Sequence, residues 1–331
     1  MKKIMSSLLA VLMLAGVLTG CGSQTDVKNE KLSVVTTIFP EYDWVMNILG
    51  DKAEDAELTM LLDKGVDLHS FQPTADDIIK ISRCDLFIYV GGESDKWVED
   101  ALKEATNKNM IVIDLLDVLG DAVKEEEVKE GMETEDHEHE EGQKDDHVPE
   151  EEIEYDEHVW LSLKNAAILV NAIADALGKL DDDNAEVYSA NAAAYTLKLN
   201  TLDADYQAAV DSSTVKTVLF GDRFPFRYLV DDYGLDYFAA FVGCSAESEA
   251  SFETIAFLAK KVDELGLSTV LTLEGTEHKI AETIVSTSQS KSAQILSMDS
   301  MQSSTSEDVK NGATYLSIME KNLDVLTDAL K

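Results

Sequence analysis

Short apolar, β-branched runs alternate with helical patterns in two separate stretches of this 331-residue chain. In the first stretch, strand-like runs cover residues 32–38, 86–90 and 111–113, and helical segments adjoin them. An almost fully apolar strand has to be covered on both of its faces, which is typical of a parallel sheet between layers of helices. The first stretch therefore predicts an α/β lobe.

The second stretch repeats this alternation with four strand-like runs, at residues 217–220, 236–241, 269–273 and 294–298. Between the two stretches, residues 184–210 are rich in Ala, Leu and Lys and contain neither Pro nor Gly, which predicts one long helix. We therefore predict an α/β fold of two parallel-sheet lobes, residues 32–183 and 213–331, joined by a rigid helix over 184–212. The ligand site is expected in the cleft between the lobes, at the carboxyl ends of the strands.

The segment before the first lobe has the pattern of a signal peptide that ends at a lipidated cysteine. Two lysines precede an apolar stretch over residues 4–18, and the lipobox LTGC follows at residues 18–21. The apolar stretch is too short for a stable membrane span. We predict a signal peptide over residues 1–20, acyl chains on Cys21, and a polar tether over 21–31 that holds the protein at the extracytoplasmic face of the cell membrane.

The charge of the chain makes cations the plausible ligands. A formal net charge of −38 excludes nucleic acid as a partner, because phosphate binding needs a surface rich in Lys and Arg. Acidic residues are densest over residues 124–157, where His137, His139 and His147 also occur. This composition predicts an acidic loop without regular structure. Two roles for the loop remain open, which are weak exchangeable metal binding and simple solvation.

Two further histidines are candidate metal ligands because each lies in a short polar segment before a helix. His69 lies in the sequence DLHS at residues 67–70, and His158 lies in DEHVW at residues 156–160. Zinc prefers imidazole, thiolate and carboxylate groups, usually four in tetrahedral geometry. Each histidine alone could instead face solvent or cap a helix, but both belong to the first lobe and could converge on one edge of the cleft.

These segments together resemble the zinc and manganese solute-binding lipoproteins of ABC importers. The likeness rests on TTIFPEY at residues 36–42, DLH at 67–69 followed by QPT at 72–74, and DEHVW at 156–160, and it covers nearly all of the mature chain. The resemblance implies that His69 and His158 are metal ligands. It also implies an acidic ligand at a strand end of the second lobe, which is Glu274 in this chain.

The remaining ligand of that family, a histidine or glutamate, falls at Arg223 in this sequence. A guanidinium has no lone pair to donate, so the fourth ligand is left open. Asp222 and His278 are candidates for it, and the alternatives are an ion pair or helix cap for Asp222 and a solvated first-turn position for His278. Cys244 is either a small buried apolar residue or a thiolate ligand that would favour zinc over manganese.

The resemblance implies a monomeric, lipid-anchored protein that captures Zn²⁺ and delivers it to the permease of an ABC transporter. We predict no enzymatic activity, because the chain has none of the motifs of zinc proteases, α/β-hydrolases or P-loop nucleotide hydrolases. Two alternatives stay open. Two imidazoles and a carboxylate would also accept Mn²⁺ as cargo, and the missing ligand at Arg223 favours a metal-stabilised surface adhesin or scaffold without a transport role.

Overall fold

A four-stranded parallel sheet lies at the centre of each lobe. The computed structural model describes residues 31–133, 154–245, 249–275 and 277–331. The first sheet has the order β2-β1-β3-β4 and consists of β1 (Leu32–Thr36), β2 (Ala56–Met60), β3 (Leu86–Tyr89) and β4 (Ile111–Asp114). The second has the order β6-β5-β7-β8 and consists of β5 (Thr217–Phe224), β6 (Asp236–Val242), β7 (Thr269–Leu273) and β8 (Gln294–Met298). In both sheets the chain reverses its direction of winding beside the first strand, which is where α/β folds place their ligands.

Helices connect the strands and cover the sheets. The first lobe contains α1 (Phe39–Leu49), α2 (Ala75–Arg83), α3 (Val98–Lys103), α4 (Leu115–Leu119) and α5 (Leu163–Leu180). The long helix α6 (Ala185–Ser212) leads to α7 (Arg227–Tyr233), α8 (Phe252–Leu265), α9 (Lys279–Thr287), α10 (Ser306–Lys310) and α11 (Tyr315–Ala329). Within the described parts of the chain, none of the helices combines the length and the apolar character that a membrane span requires.

One hydrophobic core extends through both lobes. The linking helix α6 packs against α1 and α5 of the first lobe and against α11 of the second. Along β5, Val218 and Phe220 belong to this shared core, whereas Leu219 faces the other side of the sheet and joins a second cluster under α8 and α9. Residues Leu32–Lys331 accordingly form a single compact unit.

The structure confirms the predicted fold of two parallel-sheet lobes and a long helix. The strand β2 was missed because it is an edge strand that pairs only with β1, has the exposed Glu57 as its second residue and is mostly only partly buried. The short helices α4 and α10 were also missed. The predicted signal peptide, the lipidated Cys21 and the three loop histidines (His137, His139 and His147) lie outside the described residues.

Both ends of the acidic loop are ordered, which its composition did not predict. The backbone N–H of Glu126 donates to the carbonyl of Glu154 over 2.9 Å, and that of Asp156 donates to the carbonyl of Lys124 over 2.9 Å. The hydroxyl of Tyr228 then donates to the carbonyl of Asp156 over 2.7 Å and accepts from the N–H of Lys124 over 3.0 Å. Residues 124–126 and 154–156 therefore form a paired stem that is held against the second lobe.

Candidate metal centre

The imidazole rings of His69 and His158 face each other where the two lobes meet. Their Nε2 atoms lie 3.2 Å apart, and the ring of His158 is completely buried. Two nitrogens bound tetrahedrally to zinc at its usual bond length would be about 3.3 Å apart. The two rings therefore already have the spacing of a pair of zinc ligands.

Each imidazole is oriented through its other nitrogen. In His158, Nδ1 lies 2.9 Å from Oδ1 of Asp156, a carboxylate oxygen that also accepts from the backbone N–H of His158 over 2.9 Å. In His69, Nδ1 lies 2.7 Å from Oγ of Ser94 and 3.5 Å from Oε2 of Glu157. The ionised carboxylate of Asp156 can only accept, which favours the proton of His158 on Nδ1 and the lone pair on Nε2, as in many metal sites. The hydroxyl of Ser94 can accept in the same way from Nδ1 of His69.

The electrostatic environment of His69 also favours the neutral imidazole. Burial and the neighbouring His158 lower the pKa of His69 to about 3. A histidine has to be neutral in order to bind a metal. His69 can therefore accept a metal ion at physiological pH without first losing a proton.

Cys244 brings a thiol to this histidine pair. One ligand atom from each of His69, His158 and Cys244 lies within 4.8 Å of the other two, and no other group of this kind occurs in the described parts of the chain. Cys244 lies two residues beyond the end of β6, so it reaches the site from the carboxyl edge of the second sheet. Burial, followed by the charges of Asp156 and Glu157, raises the pKa of the Cys244 thiol.

Gly243 allows the segment that carries Cys244 to approach the ring of His158. A β-carbon at residue 243 would lie 2.9 Å from Cε1 of His158 and 2.9 Å from the carbonyl oxygen of Phe224. Neither atom has room to move freely, because the ring is buried and the oxygen belongs to the backbone. The close contact therefore requires glycine at this position.

We expect the substitution Gly243→Ala to weaken zinc binding, because the new methyl group displaces either the His158 ring or the Cys244 segment. The expected loss of affinity is about 10- to 100-fold, the range seen when the support of a metal ligand is disturbed. Zinc titration of the purified variant would measure it. Gly178→Ala in α5 is the control, since its β-carbon would meet only Ala185, at 3.1 Å; equal losses in both variants would contradict the prediction.

Arg223 connects the loop that carries His69 to the segment that carries Cys244. Its Nη2 donates to Oδ2 of Asp67 over 2.8 Å, and its Nη1 donates to the carbonyl of Ser245 over 3.3 Å. The other carboxylate oxygen of Asp67 accepts from the backbone N–H of His69 over 3.0 Å. Burial alone would raise the pKa of Asp67, but the positive charge of Arg223 holds it below its usual value. Arg223 thus joins these two segments through hydrogen bonds, at the position where the resemblance implied a metal ligand.

The structure does not bring the other three predicted ligands into the group formed by the histidine pair and Cys244. Glu274 accepts two hydrogen bonds from Ser300, over 2.7 Å from the hydroxyl and 2.8 Å from the backbone N–H. Burial, followed by the charge of Asp299, raises the pKa of Glu274 to about 7. Asp222 accepts from two backbone N–H groups, over 2.9 and 3.2 Å, and His278 is the partly exposed N-cap of α9. Metal ligation by Glu274 stays a prediction from the resemblance, and ligation by Asp222 or His278 stays a prediction from their positions in the sequence.

An acidic cavity of about 250 Å³ opens onto the site. His69 and Cys244 lie in its wall, and four glutamates complete the charged part of the lining: Glu93, Glu126, Glu154 and Glu157. Two of these carboxylates belong to the stem of the acidic loop, so the loop forms one side of the cavity. A cleft lined with one sign of charge concentrates ions of the opposite sign, which makes this cavity a suitable entrance for a cation.

Comparison with known proteins places the chain among zinc-binding relatives. A zinc-binding protein of Streptococcus pyogenes, AdcA, is 31% identical over 308 residues, which cover 89% of this chain and 55% of the relative. The chain thus spans about half the length of that relative. The high-affinity zinc uptake system protein ZnuA of Bacillus subtilis is 32% identical over 315 residues, covering 94% of this chain and 92% of the relative.

Solved structures show the same fold. The Zn(II)-bound ZnuA-like domain of Streptococcus pneumoniae AdcA is 29% identical, with a TM-score of 0.68 over 91% of this chain and 99% of that domain. A mutant of the laminin-binding adhesin Lmb of Streptococcus agalactiae is 25% identical, with a TM-score of 0.71. The match covers 91% of this chain and 100% of the adhesin chain. The model of the family described as zinc-uptake complex component A, periplasmic, matches residues 34–329, and this chain belongs to that family.

Proposed function

We propose that this protein captures Zn²⁺ outside the cytoplasm and delivers it to the permease of an ABC importer, without catalysing a reaction. The observation that carries the proposal is the pair of Nε2 atoms of His69 and His158, 3.2 Å apart, each on a ring whose Nδ1 is already engaged. Imidazole nitrogen suits zinc, a borderline-soft ion. The zinc-binding and zinc-uptake names of the relatives support zinc as the cargo.

The proposed location follows from the lipobox that ends at Cys21. Acyl chains on this cysteine would keep the protein at the membrane, so that a captured ion stays close to the permease. Groups from both lobes of one chain form the site, which supports a monomer as the functional unit. Closure of the two lobes around the ion would then distinguish the loaded from the unloaded protein for the permease.

Zinc titration of the metal-free protein tests this function. We expect one zinc ion per chain with a Kd below about 1 μM, which corresponds to a binding free energy of about −8 kcal/mol or better. Manganese in about 100-fold excess should not displace the zinc, because imidazole binds Zn²⁺ more strongly than Mn²⁺. Failure to bind zinc in this range would contradict the proposal, and displacement by equimolar manganese would point to manganese as the cargo.

The likeness to the laminin-binding adhesin supports an adhesin as the second candidate function. In that case the metal would only stabilise the fold. Cells that carry His69→Ala distinguish the two candidates, because this substitution removes a metal ligand from the partly exposed side of the site. An importer component predicts lost growth in zinc-poor medium with normal attachment to laminin, whereas an adhesin predicts normal growth.

A further inference from the structure

The two imidazoles supply only half of the donors that zinc usually has in a protein. Zinc sites are completed to about four ligands, and when the protein supplies three of them a water molecule or a second molecule takes the last position. At the position where the resemblance implies a histidine or glutamate ligand, this chain has Arg223, whose guanidinium is bound to Asp67 over 2.8 Å. The carboxylate of Glu274 is bound twice to Ser300. Among the described residues of the second lobe, the donor that lies beside the histidine pair in this structure is the thiol of Cys244.

We propose that the thiolate of Cys244 is the third protein ligand, so that the metal is held by Nε2 of His69, Nε2 of His158 and Sγ of Cys244. This inference rests on the proposed function and identifies the ligand set of the same site. The two Nε2 atoms lie 3.2 Å apart, and one ring nitrogen of each histidine lies within 4.8 Å of Sγ of Cys244. A tetrahedral zinc ion needs S···N distances of about 3.5 Å, so a movement on the order of 1 Å closes the group around the ion.

The neighbours of Cys244 are arranged to hold it at the site. Gly243 before it packs against the His158 ring, where a β-carbon would be only 2.9 Å from Cε1. The carbonyl of Ser245 after it accepts a hydrogen bond from Arg223 over 3.3 Å. The backbone N–H of Cys244 itself donates to Oε1 of Glu126 in the loop stem over 3.3 Å. Three consecutive residues are thus fixed from three sides, with the thiol facing the histidine pair.

A thiolate ligand at Cys244 would determine both the charge of the site and its selectivity among metal ions. On binding, the sulfur exchanges its proton for the metal, and one proton is released to solvent for each ion bound, with no change of oxidation state. The thiolate provides the negative charge that a carboxylate ligand would otherwise supply. Sulfur ligands select zinc over manganese, which prefers oxygen. The site should therefore discriminate against manganese more strongly than a site of imidazoles and carboxylate.

Cobalt substitution of the full chain tests this ligand directly. The metal-free protein is loaded with Co²⁺, and a thiolate ligand is detected by its sulfur-to-cobalt charge-transfer absorption in the near ultraviolet. We expect this band in the wild type and not in Cys244→Ser. The chain has three cysteines, so Cys21→Ser and Cys84→Ser are the matched controls, and both should keep the band. Cys84 is a suitable control because it is buried in the first lobe, with its thiol donating to the carbonyl of Ile81.

Zinc affinity provides the second measurement. Cys244→Ser should weaken zinc binding at least about 100-fold, because loss of a ligand should cost no less than loss of a hydrogen bond that supports a ligand, which costs up to about 100-fold. Manganese affinity should stay nearly unchanged, because manganese prefers oxygen ligands. A wild type that binds zinc tightly but shows no charge-transfer band would overturn the ligand assignment and leave the proposed function standing. A wild type that binds no zinc below about 1 μM would instead contradict the proposed function. If Cys244→Ser does not fold, the cobalt spectrum of a double variant with Cys21→Ser and Cys84→Ser decides, because Cys244 is then the one remaining cysteine; absence of the band in that variant would overturn the assignment.

Discussion

Replacing His158 with alanine should abolish submicromolar zinc binding. The ring supplies one of the two Nε2 atoms that lie 3.2 Å apart, and Asp156 orients it through Nδ1. If a zinc-binding free energy of about 10–16 kcal/mol is divided equally among four ligands, each ligand contributes about 2.5–4 kcal/mol. Loss of one imidazole should therefore reduce zinc affinity by about 10²- to 10³-fold, which is measurable by competition with a chelator.

His278→Ala is the matched control for this experiment. The same side chain is removed from the partly exposed start of α9, outside the group of His69, His158 and Cys244. Zinc affinity should stay at the wild-type value in His278→Ala and fall in His69→Ala as it does in His158→Ala. Because the His158 ring is fully buried, the melting temperature of each metal-free variant has to be measured as well. Tight zinc binding by a folded His158→Ala variant would show that the metal binds elsewhere.

The two histidines could be predicted from the sequence because their positions depend on local structure. Asp67 accepts from the backbone N–H of His69, two residues later, and Asp156 does the same for His158. Such short-range contacts are encoded within a few residues, so the DxH segments carry most of the information. The resemblance to a family with the same segments supplied the rest.

The donor from the second lobe could not be predicted in this way, because it depends on contacts between distant parts of the chain. The pairing of β5 with β6 shifts its register between Phe220 and Arg223, and such an irregularity is not visible in the local sequence. Glu274 forms its hydrogen bonds with Ser300, 26 residues further along the chain. Cys244 had one signal in the sequence, its position three residues beyond the end of the strand predicted at 236–241. This position indicates a metal ligand only once the structure shows that Gly243 packs against the ring of His158.

The paired stem of the acidic loop could not be predicted from the sequence either. Its composition is that of an unstructured acidic segment, and residues 124–157 were predicted as such. Yet Lys124 and Asp156 pair through their backbones, and the hydroxyl of Tyr228, more than 70 residues away, contacts both. Backbone pairing of this kind does not depend on side-chain hydropathy, so composition could not reveal it.

Trp160→Ala should produce the largest loss of fold stability among the substitutions considered, about 3–5 kcal/mol. The side chain is fully buried, and its Nε1 donates to the carbonyl of Ser300 over 2.8 Å. Its own carbonyl accepts from the hydroxyl of Tyr315 over 2.6 Å. Ser300 and Tyr315 belong to the second lobe, so this one residue connects the lobes while its ring packs beside His158, at a centroid distance of 5.3 Å.

Two phenylalanine variants separate the hydrogen bond of Trp160 from its packing. Trp160→Phe keeps most of the buried ring but leaves the carbonyl of Ser300 without its donor, and we expect a loss of about 1–3 kcal/mol. Trp44→Phe is the control, because Trp44 is equally buried but its Nε1 has no hydrogen-bond partner among the described residues. Urea unfolding of the metal-free proteins would measure both. Equal losses in the two variants would show that ring packing, and not the bond to Ser300, links the lobes. A larger loss in Trp160→Phe, together with weaker zinc binding, would show that the same contact joins the lobes and holds His158 in place.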